Sequence, residues 1–452
     1  MGTLLRRLPL EGAVRLAIVV TVLDVAFGSN WSPDVRAVAG PLRWLLLGGL
    51  CVLSLAYAWS QAGSLRPRPR PAAYWFAAAL LALALASALW SLDPRLTVAR
   101  CIAFGTLLVA AGALALPVAS DREAAGRVLV AVLGGAVAVA LAGLVALAVD
   151  PGEAVQEATS STAARFRGIG QNPNTVSMLF AVGMPIATWL LLRERGARRV
   201  AAGAVLALLA GSIVASGSRG ALVAGFAAAA VPALASARGS RAVAATLATA
   251  ALGLAAGLGV TTLPDPDPNY RRSASDYTTP CTRNDAQCYL RLEDEIGRPP
   301  GGRYEPPGGR SLLGSSGRRD AWGSALGLGA ERPVAGFGFA TESRAFVDRS
   351  YSFQGGVPEN SFIGIFLQLG VLGIVLLGGL ALSLLAAAAR ALRARDDPDR
   401  PLAAACAAVL LAGLGLALFQ SYLYAAGNTA TLSVWICAFL LTALAAPRAV
   451  RN

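Results

Sequence analysis

The 452-residue chain contains no histidine and no lysine, and only 14% of its residues are charged. A soluble domain carries roughly a quarter, so an ordinary soluble enzyme is excluded at the outset. Without histidine there can be no imidazole acid–base catalysis, no Ser-His triad and no histidine metal site. Without lysine, the formal net charge of +13 comes entirely from arginine. Such an excess could serve nucleic acid, but the arginines form no single soluble patch. They lie between apolar segments, which points to membrane topology first and anionic ligands second, and no nucleic-acid partner is expected. No cleavable signal peptide is evident either: Met1 to Leu10 is short and basic, and the apolar run after it lacks a small-residue cleavage site, so it reads as a first span.

What is present is apolar sequence, 55% of all positions. A span needs about 20 apolar residues, and qualifying segments lie at roughly 12–28, 41–60, 72–91, 97–118, 127–149, 174–192, 199–216, 219–236, 241–260, 361–388, 401–422 and 425–446. The expected fold is therefore an all-α polytopic membrane protein of about twelve transmembrane helices, with eleven as the main alternative because only Gly217-Ser218-Arg219-Gly220 splits two of them. Short-loop arginines set the orientation. With the N-terminus in the cytoplasm, Arg66, Arg68, Arg70, Arg193, Arg195, Arg198 and Arg199 fall inside, whereas short outer segments keep only Arg36, Arg95, Arg165, Arg167 and Arg219. Both termini are then cytoplasmic. The chain divides into an N-terminal bundle at 1–260, one long extracytoplasmic loop at 261–357 and C-terminal helices at 358–452.

That loop has two parts. Residues 264–317 are rich in Pro, Gly, Arg and Asp, without apolar periodicity. Residues 318–357 open with a short amphipathic stretch, with Trp322, Leu326 and Leu328 as apolar contacts, ended by Pro333 and the Gly336-Phe337-Gly338 turn. Cys281 and Cys288 lie in the first part, where a disulfide would suit an oxidising compartment and two free thiols are the alternative. Cys51, Cys101, Cys406 and Cys437 sit in apolar runs and read as small buried hydrophobes.

Polar groups on the outer side that topology does not require are the candidates for chemistry. Arg219 sits in a tight turn at the outer mouth of a hairpin, against the positive-inside bias. It can snorkel to headgroups, or bind an anion beside a helix start, where the dipole helps. Arg165, Arg167 and Asn174 belong to an outer segment before the sixth span; there the plain reading is two solvated arginines and a capping Asn. Arg318 and Arg319 precede Trp322 by one turn and taken alone suggest a surface charge pair. Glu359, with Asn360, stands where the loop re-enters the bilayer. A favourable acid at a helix N-terminus and a general base are both open to it.

At these residues the sequence resembles the O-antigen ligase and O-antigen polymerase superfamily of bacterial envelope glycosyltransferases. Gly317-Arg318-Arg319-Asp320-Ala321-Trp322 is similar to a Gly-Arg-x-x-x-Trp motif, and Pro333 to Gly338 to Pro-x-x-Gly-x-Gly. Glu359-Asn360-Ser361-Phe362-Ile363 and Leu369-Gly370-Val371-Leu372-Gly373 resemble His-Asn-x-Tyr-Leu followed by Leu-Gly-x-x-Gly. Upstream, Arg165 to Asn174 resembles Arg-x-x-Gly-x-x-x-Asn-Pro-Asn, Ser218-Arg219-Gly220 a Ser-Arg-Gly, and Ser91 to Pro94 a Ser-x-Asp-Pro. The motifs span about residues 90–375. Two positions depart from the pattern: the His of His-Asn is Glu359, and a Glu before Leu-Gly is Gln368. A carboxylate can accept a hydroxyl proton as imidazole does, although its lower ordinary pKa makes it the weaker base.

The resemblance implies a GT-C-like membrane enzyme in the cytoplasmic membrane that needs no metal or other cofactor. It would transfer a glycan from a polyprenyl-diphosphate carrier to a sugar hydroxyl on a glycan or glycolipid acceptor. It implies diphosphate contacts for Arg219 and Arg318, with Glu359 as the base; Arg165, Arg167, Asn174, Arg319 and Asn360 would bind donor or glycan. Two alternatives remain at this level: a transporter or flippase of lipid-linked saccharides, disfavoured by spans poor in mid-membrane charge apart from Asp24, and a catalytically silent family member.

Overall fold

The computed structural model describes residues 2–30, 32–61, 71–119, 121–156, 164–170, 172–236, 318–347 and 357–446, together with a few positions between 244 and 255. Cys281 and Cys288, the first part of the long loop and nearly all of the expected ninth span lie outside the described residues. Among the described residues the regular elements are helices and one antiparallel pair of two-residue strands, joined by turns and irregular backbone.

The helices are α1 (Gly2–Gly28), α2 (Pro33–Ser60), α3 (Ala72–Ala86), α4 (Pro94–Ala115), α5 (Arg122–Val149), α6 (Pro151–Ala154), α7 (Pro173–Arg193), α8 (Gly196–Ser216) and α9 (Arg219–Ser236). After the long loop come α10 (Arg318–Gly329), α11 (Glu342–Val347), α12 (Ser361–Arg393), α13 (Arg400–Leu416) and α14 (Thr431–Leu444). Their starts follow local chemistry. Asp93, Asp121, Asn172 and Asn360 each accept a hydrogen bond from a backbone N–H of the first turn they cap, and Pro occupies the first turn of α2, α4, α7 and α13. Asn172, not Asn174, is the cap of α7.

Among the described residues eight helices are long and apolar enough to cross a membrane: α2, α3 with its short 3-10 extension, α4, α5, α7, α8, α9 and α12. The apolar helices α13 and α14 are shorter. α1, interrupted by Arg15 and Asp24, is not among the eight, although it packs on α2 and α5. Large apolar side chains such as Leu45, Trp59, Leu89 and Val149 are at least 74% exposed, a burden in water that hydrocarbon removes. These features make the chain a multi-pass membrane protein.

Backbone breaks matter more to the site than the helices do. α12 is interrupted at Gly370, whose φ of 61° and ψ of −156° are not helical. The freed groups are taken up by residues 333–338, which run alongside. Phe337 and Gly338 donate to the carbonyls of Leu367 and Gln368 at 3.0 and 2.8 Å, and Val371 donates to Pro333 at 2.8 Å. At Gly336, also at positive φ, an added Cβ would stand 2.4 Å from the Gln368 carbonyl carbon, so only glycine permits this approach. The same segment is tied to the start of α4: Trp90 Nε1 donates to Ala335 O, Leu92 N to Phe337 O and Thr97 Oγ1 to Phe339 O.

The second break is residues 417–430. The sequence predicts helix over 401–422 and 425–446, yet α13 stops at Leu416 and α14 begins at Thr431. Between them lies irregular backbone, much of it buried. Such backbone is tolerated at membrane depth only when protein or a cavity satisfies it, and here Ser361 Oγ donates to Gln420 O while accepting from the amides of Tyr422 and Leu423.

Candidate functional site

Several candidate residues meet at the bundle end where α12 begins. Glu359 has a φ of 49°, a left-handed conformation uncommon for a residue with a side chain. It is held from both sides. Its Oε2 accepts from Arg318 Nε at 2.9 Å and Arg318 Nη2 at 2.6 Å, and the neighbouring Pro358 carbonyl accepts from Trp322 Nε1 at 2.9 Å. The two ends of the second loop part, α10 and the entry to α12, are thus latched together. Both members of the ion pair are about one-fifth exposed.

Asn360 serves the fold: its Oδ1 accepts from the amides of Phe362 and Ile363, and its Nδ2 donates to Leu418 O at 3.1 Å. Arg319 is exposed. α10 buries Ala321, Ala325 and Leu328 against Phe337, Phe346 and Leu367. Leu326, expected among the contacts, is 47% exposed instead. The helix phase places Leu328 in register with Ala321 and Ala325 and turns Leu326 away.

Arg219 opens α9 behind the left-handed cap Gly217. Its positive charge and that of Arg318 lie near enough to repel one another. The turn is linked to the same centre twice: Gly220 packs on Phe419 of the 417–430 segment, and Ser216 O accepts from Arg165 Nε at 2.7 Å. Arg165 Nη2 also donates to Asn174 Oδ1 at 2.5 Å. Arg167 donates to the carbonyls of Glu153 and Gly152 at 2.8 and 2.9 Å. Both guanidiniums are buried and directed at protein oxygens, so they join the α6 region, the head of α7 and the Arg219 turn, and brace the site from behind.

Three ionisable residues escaped the sequence reading. Glu342, first residue of α11, is buried and receives three donors: Ser421 Oγ on Oε1 at 2.6 Å, and Tyr424 hydroxyl and Gln368 Nε2 on Oε2, both at 3.0 Å. Burial raises its carboxyl to about 7 against the opposing pull of these hydrogen bonds. As a lone Glu in a polar loop it gave no signal. Arg43 in α2 and Arg100 in α4 are intramembrane charges lying near one another, with Asp24 as a partial counter-charge. A charged residue inside an apolar run was the sign available for them. Among the described residues no three His, Cys, Asp or Glu side chains gather as a metal site.

At the opposite end of the bundle, Arg122, Arg193, Asp397, Asp399 and Arg400 line a cavity of about 1250 Å³. Arg122 pairs there with Asp397 and Asp399 and donates to the carbonyls of Leu444, the last residue of α14, and Ala446 beyond it.

No curated protein matches the chain. A family model described as O-antigen ligase matches residues 204–378, a stretch that runs from α8 through Arg219, Arg318 and Glu359 to the break in α12. This ties the chain to the transfer of glycans in cell-envelope polysaccharide assembly and to glycan and lipid partners. Over residues 204–378 the chain is thus similar to the O-antigen ligase family.

Proposed function

We propose that the chain is a glycosyltransferase acting at the outer face of the cytoplasmic membrane. It moves a glycan from a polyprenyl-diphosphate carrier to a sugar hydroxyl, with both termini and the arginine-rich end of the bundle in the cytoplasm. The reading rests on one observation above all: Arg219 and Arg318, from separate segments, are within electrostatic reach of each other, and Arg318 is bonded to a carboxylate at the same turn. Two like charges within electrostatic reach oppose one another and suit a multiply charged anion.

Outside the cytoplasm nucleotide sugars are absent, so the donor is lipid-bound. In the reaction the acceptor oxygen bonds to the anomeric carbon as the bond from that carbon to the diphosphate breaks. The electron pair leaves with the diphosphate, where preorganised guanidiniums stabilise it. The hydroxyl proton passes to Glu359. Arg165, Arg167, Asn174 and Asn360 contribute by fixing the walls of the site, and Arg319 meets the glycan or headgroups at the rim.

Arg219→Ala and Arg318→Ala test this in a deletion host complemented with each variant. Both are expected to abolish envelope glycan while the protein stays folded in the membrane, as judged by monodisperse extraction. Normal glycan from both variants would sink the reading. In the deletion host, lipid-linked single repeat units would mark a polymerase, and full-length lipid-linked chains a ligase.

A further inference from the structure

We propose that Glu342 is a positioning residue for this transfer: through Ser421 it holds the backbone amide of Asn360, and with it the left-handed turn that aims Glu359 at Arg318. The kinetic part of the inference rests on the glycosyltransferase reading; the structural part does not.

The connection is continuous. Ser421 Oγ donates to Glu342 Oε1 at 2.6 Å and accepts from Asn360 N–H at 3.1 Å. Asn360 follows Glu359 directly, and the positive φ at Glu359 persists only if its surroundings over-determine it. Ser421 is one part of that clamp; the other parts are Leu418 O on Asn360 Nδ2, Ala417 O on Ser361 N–H, and Trp322 on Pro358 O.

Protonation of Glu342 reverses one end of the chain. An ionised carboxyl has no proton to give and accepts from all three donors. This fixes the Ser421 hydroxyl as donor toward Oε1 and leaves its lone pairs to the Asn360 amide. Oε2 already receives two donors, one of them the Gln368 amide, which cannot accept. Oε1, with a single donor that is a hydroxyl able to accept, is the less crowded oxygen for the proton, and Ser421 then turns its own hydrogen away to receive it. The 3.1 Å bond to Asn360, the longer of the two at Ser421, then loosens. Burial brings this change into the neutral range.

The other groups around Glu342 do not compete. α11 packs on α10 and α12. α12 presents the neutral Gln368, the 417–430 segment Tyr424 and Ser421, and α10 carries Arg318, committed to Glu359, and the exposed Arg319. Arg344, on α11 itself, pairs with Asp93 at 3.6 Å.

Glu342→Gln, isosteric with the protonated acid, supplies the test in the detergent-solubilised full chain. Difference infrared spectra should show a carboxylic C=O band that titrates near neutral pH in the wild type and is missing from the variant. Hydrogen exchange of the peptide spanning residues 357–363 should run about fivefold faster in the variant at about pH 8.5, the factor for one ordinary hydrogen bond. It should match the wild type at about pH 5.5, where both are neutral. With a lipid-linked donor, the variant should lose kcat with little change in KM, and its pH profile should lose the neutral inflection. Absence of the titrating band, or equal exchange at both pH values, overturns the proposal. A protein that passes both spectroscopic arms but transfers no glycan from any lipid-linked donor counts against the proposed function and leaves the positioning role standing.

Discussion

Gly370→Ala is the substitution that tests the architecture most directly. At φ 61° and ψ −156° an alanine enters a region used essentially by glycine alone, at a cost of roughly 1–3 kcal/mol. Its Cβ would also stand 2.3 Å from the Val334 carbonyl carbon and oxygen, so residues 333–338 must withdraw. That withdrawal breaks the 2.8 Å bond from Val371 N–H to Pro333 O, about 1 kcal/mol more. Gly378→Ala, two turns further along the same helix, meets no heavy atom within 4 Å and should gain roughly 0.5–1 kcal/mol from helix propensity. One chemical change on one helix is thus expected to have opposite signs, separated by roughly 2.5–5 kcal/mol. Thermal unfolding of the two variants in one detergent, followed by loss of the monodisperse peak, reads the difference. Equal stability of the two would refute the claim that the break in α12 is built against the 333–338 segment.

Asn360→Ala removes the side chain that caps α12 and costs about 1 kcal/mol by the same assay; Asn360→Asp, which keeps the cap and loses the donor to Leu418 O, should fall between it and the wild type. Stability should also fall with rising pH. Glu342 binds its proton more tightly folded, at about 7, than at the ordinary 4.5, so the contribution is whole below about 4.5 and lost through about 7, up to about 3 kcal/mol in all. Unfolding of wild type and Glu342→Gln across that range measures it, with a flatter curve expected for the variant.

How legible this was in the sequence varied with the physics involved. Helix positions followed from apolar runs because a membrane span is set by transfer energy and length. The same measure failed over 417–430: Phe419, Tyr422, Leu423 and Tyr424 are as apolar as any helix, and hydropathy registers what the side chains prefer, whereas the backbone there bonds to Ser361 and Asn360. The motifs marked residues that the fold uses in different ways. Arg318 and Glu359 are bonded and Arg219 lies within electrostatic reach of Arg318, but the glycines of Pro-x-x-Gly-x-Gly and Leu-Gly-x-x-Gly build backbone, and Arg165 and Arg167 support loops. Glu342 was invisible because its character comes from Ser421, Tyr424 and Gln368, all distant in sequence.

The departure at Glu359 has a consequence for how charge is managed in the proposed transfer. A neutral imidazole at that position would leave both arginine charges available to the donor from the start. A carboxylate bonded twice to Arg318 cancels one of them in the resting site, so the ground-state donor is held mainly by Arg219. When the acceptor proton reaches Glu359, that carboxylate becomes neutral and Arg318 is released from its partner. This occurs as negative charge builds on the departing diphosphate. An interaction that strengthens only as the reaction proceeds lowers the barrier without deepening substrate binding. On this account the glutamate is weaker than histidine as a base, and part of that deficit is offset by making the Arg318 charge conditional on proton transfer.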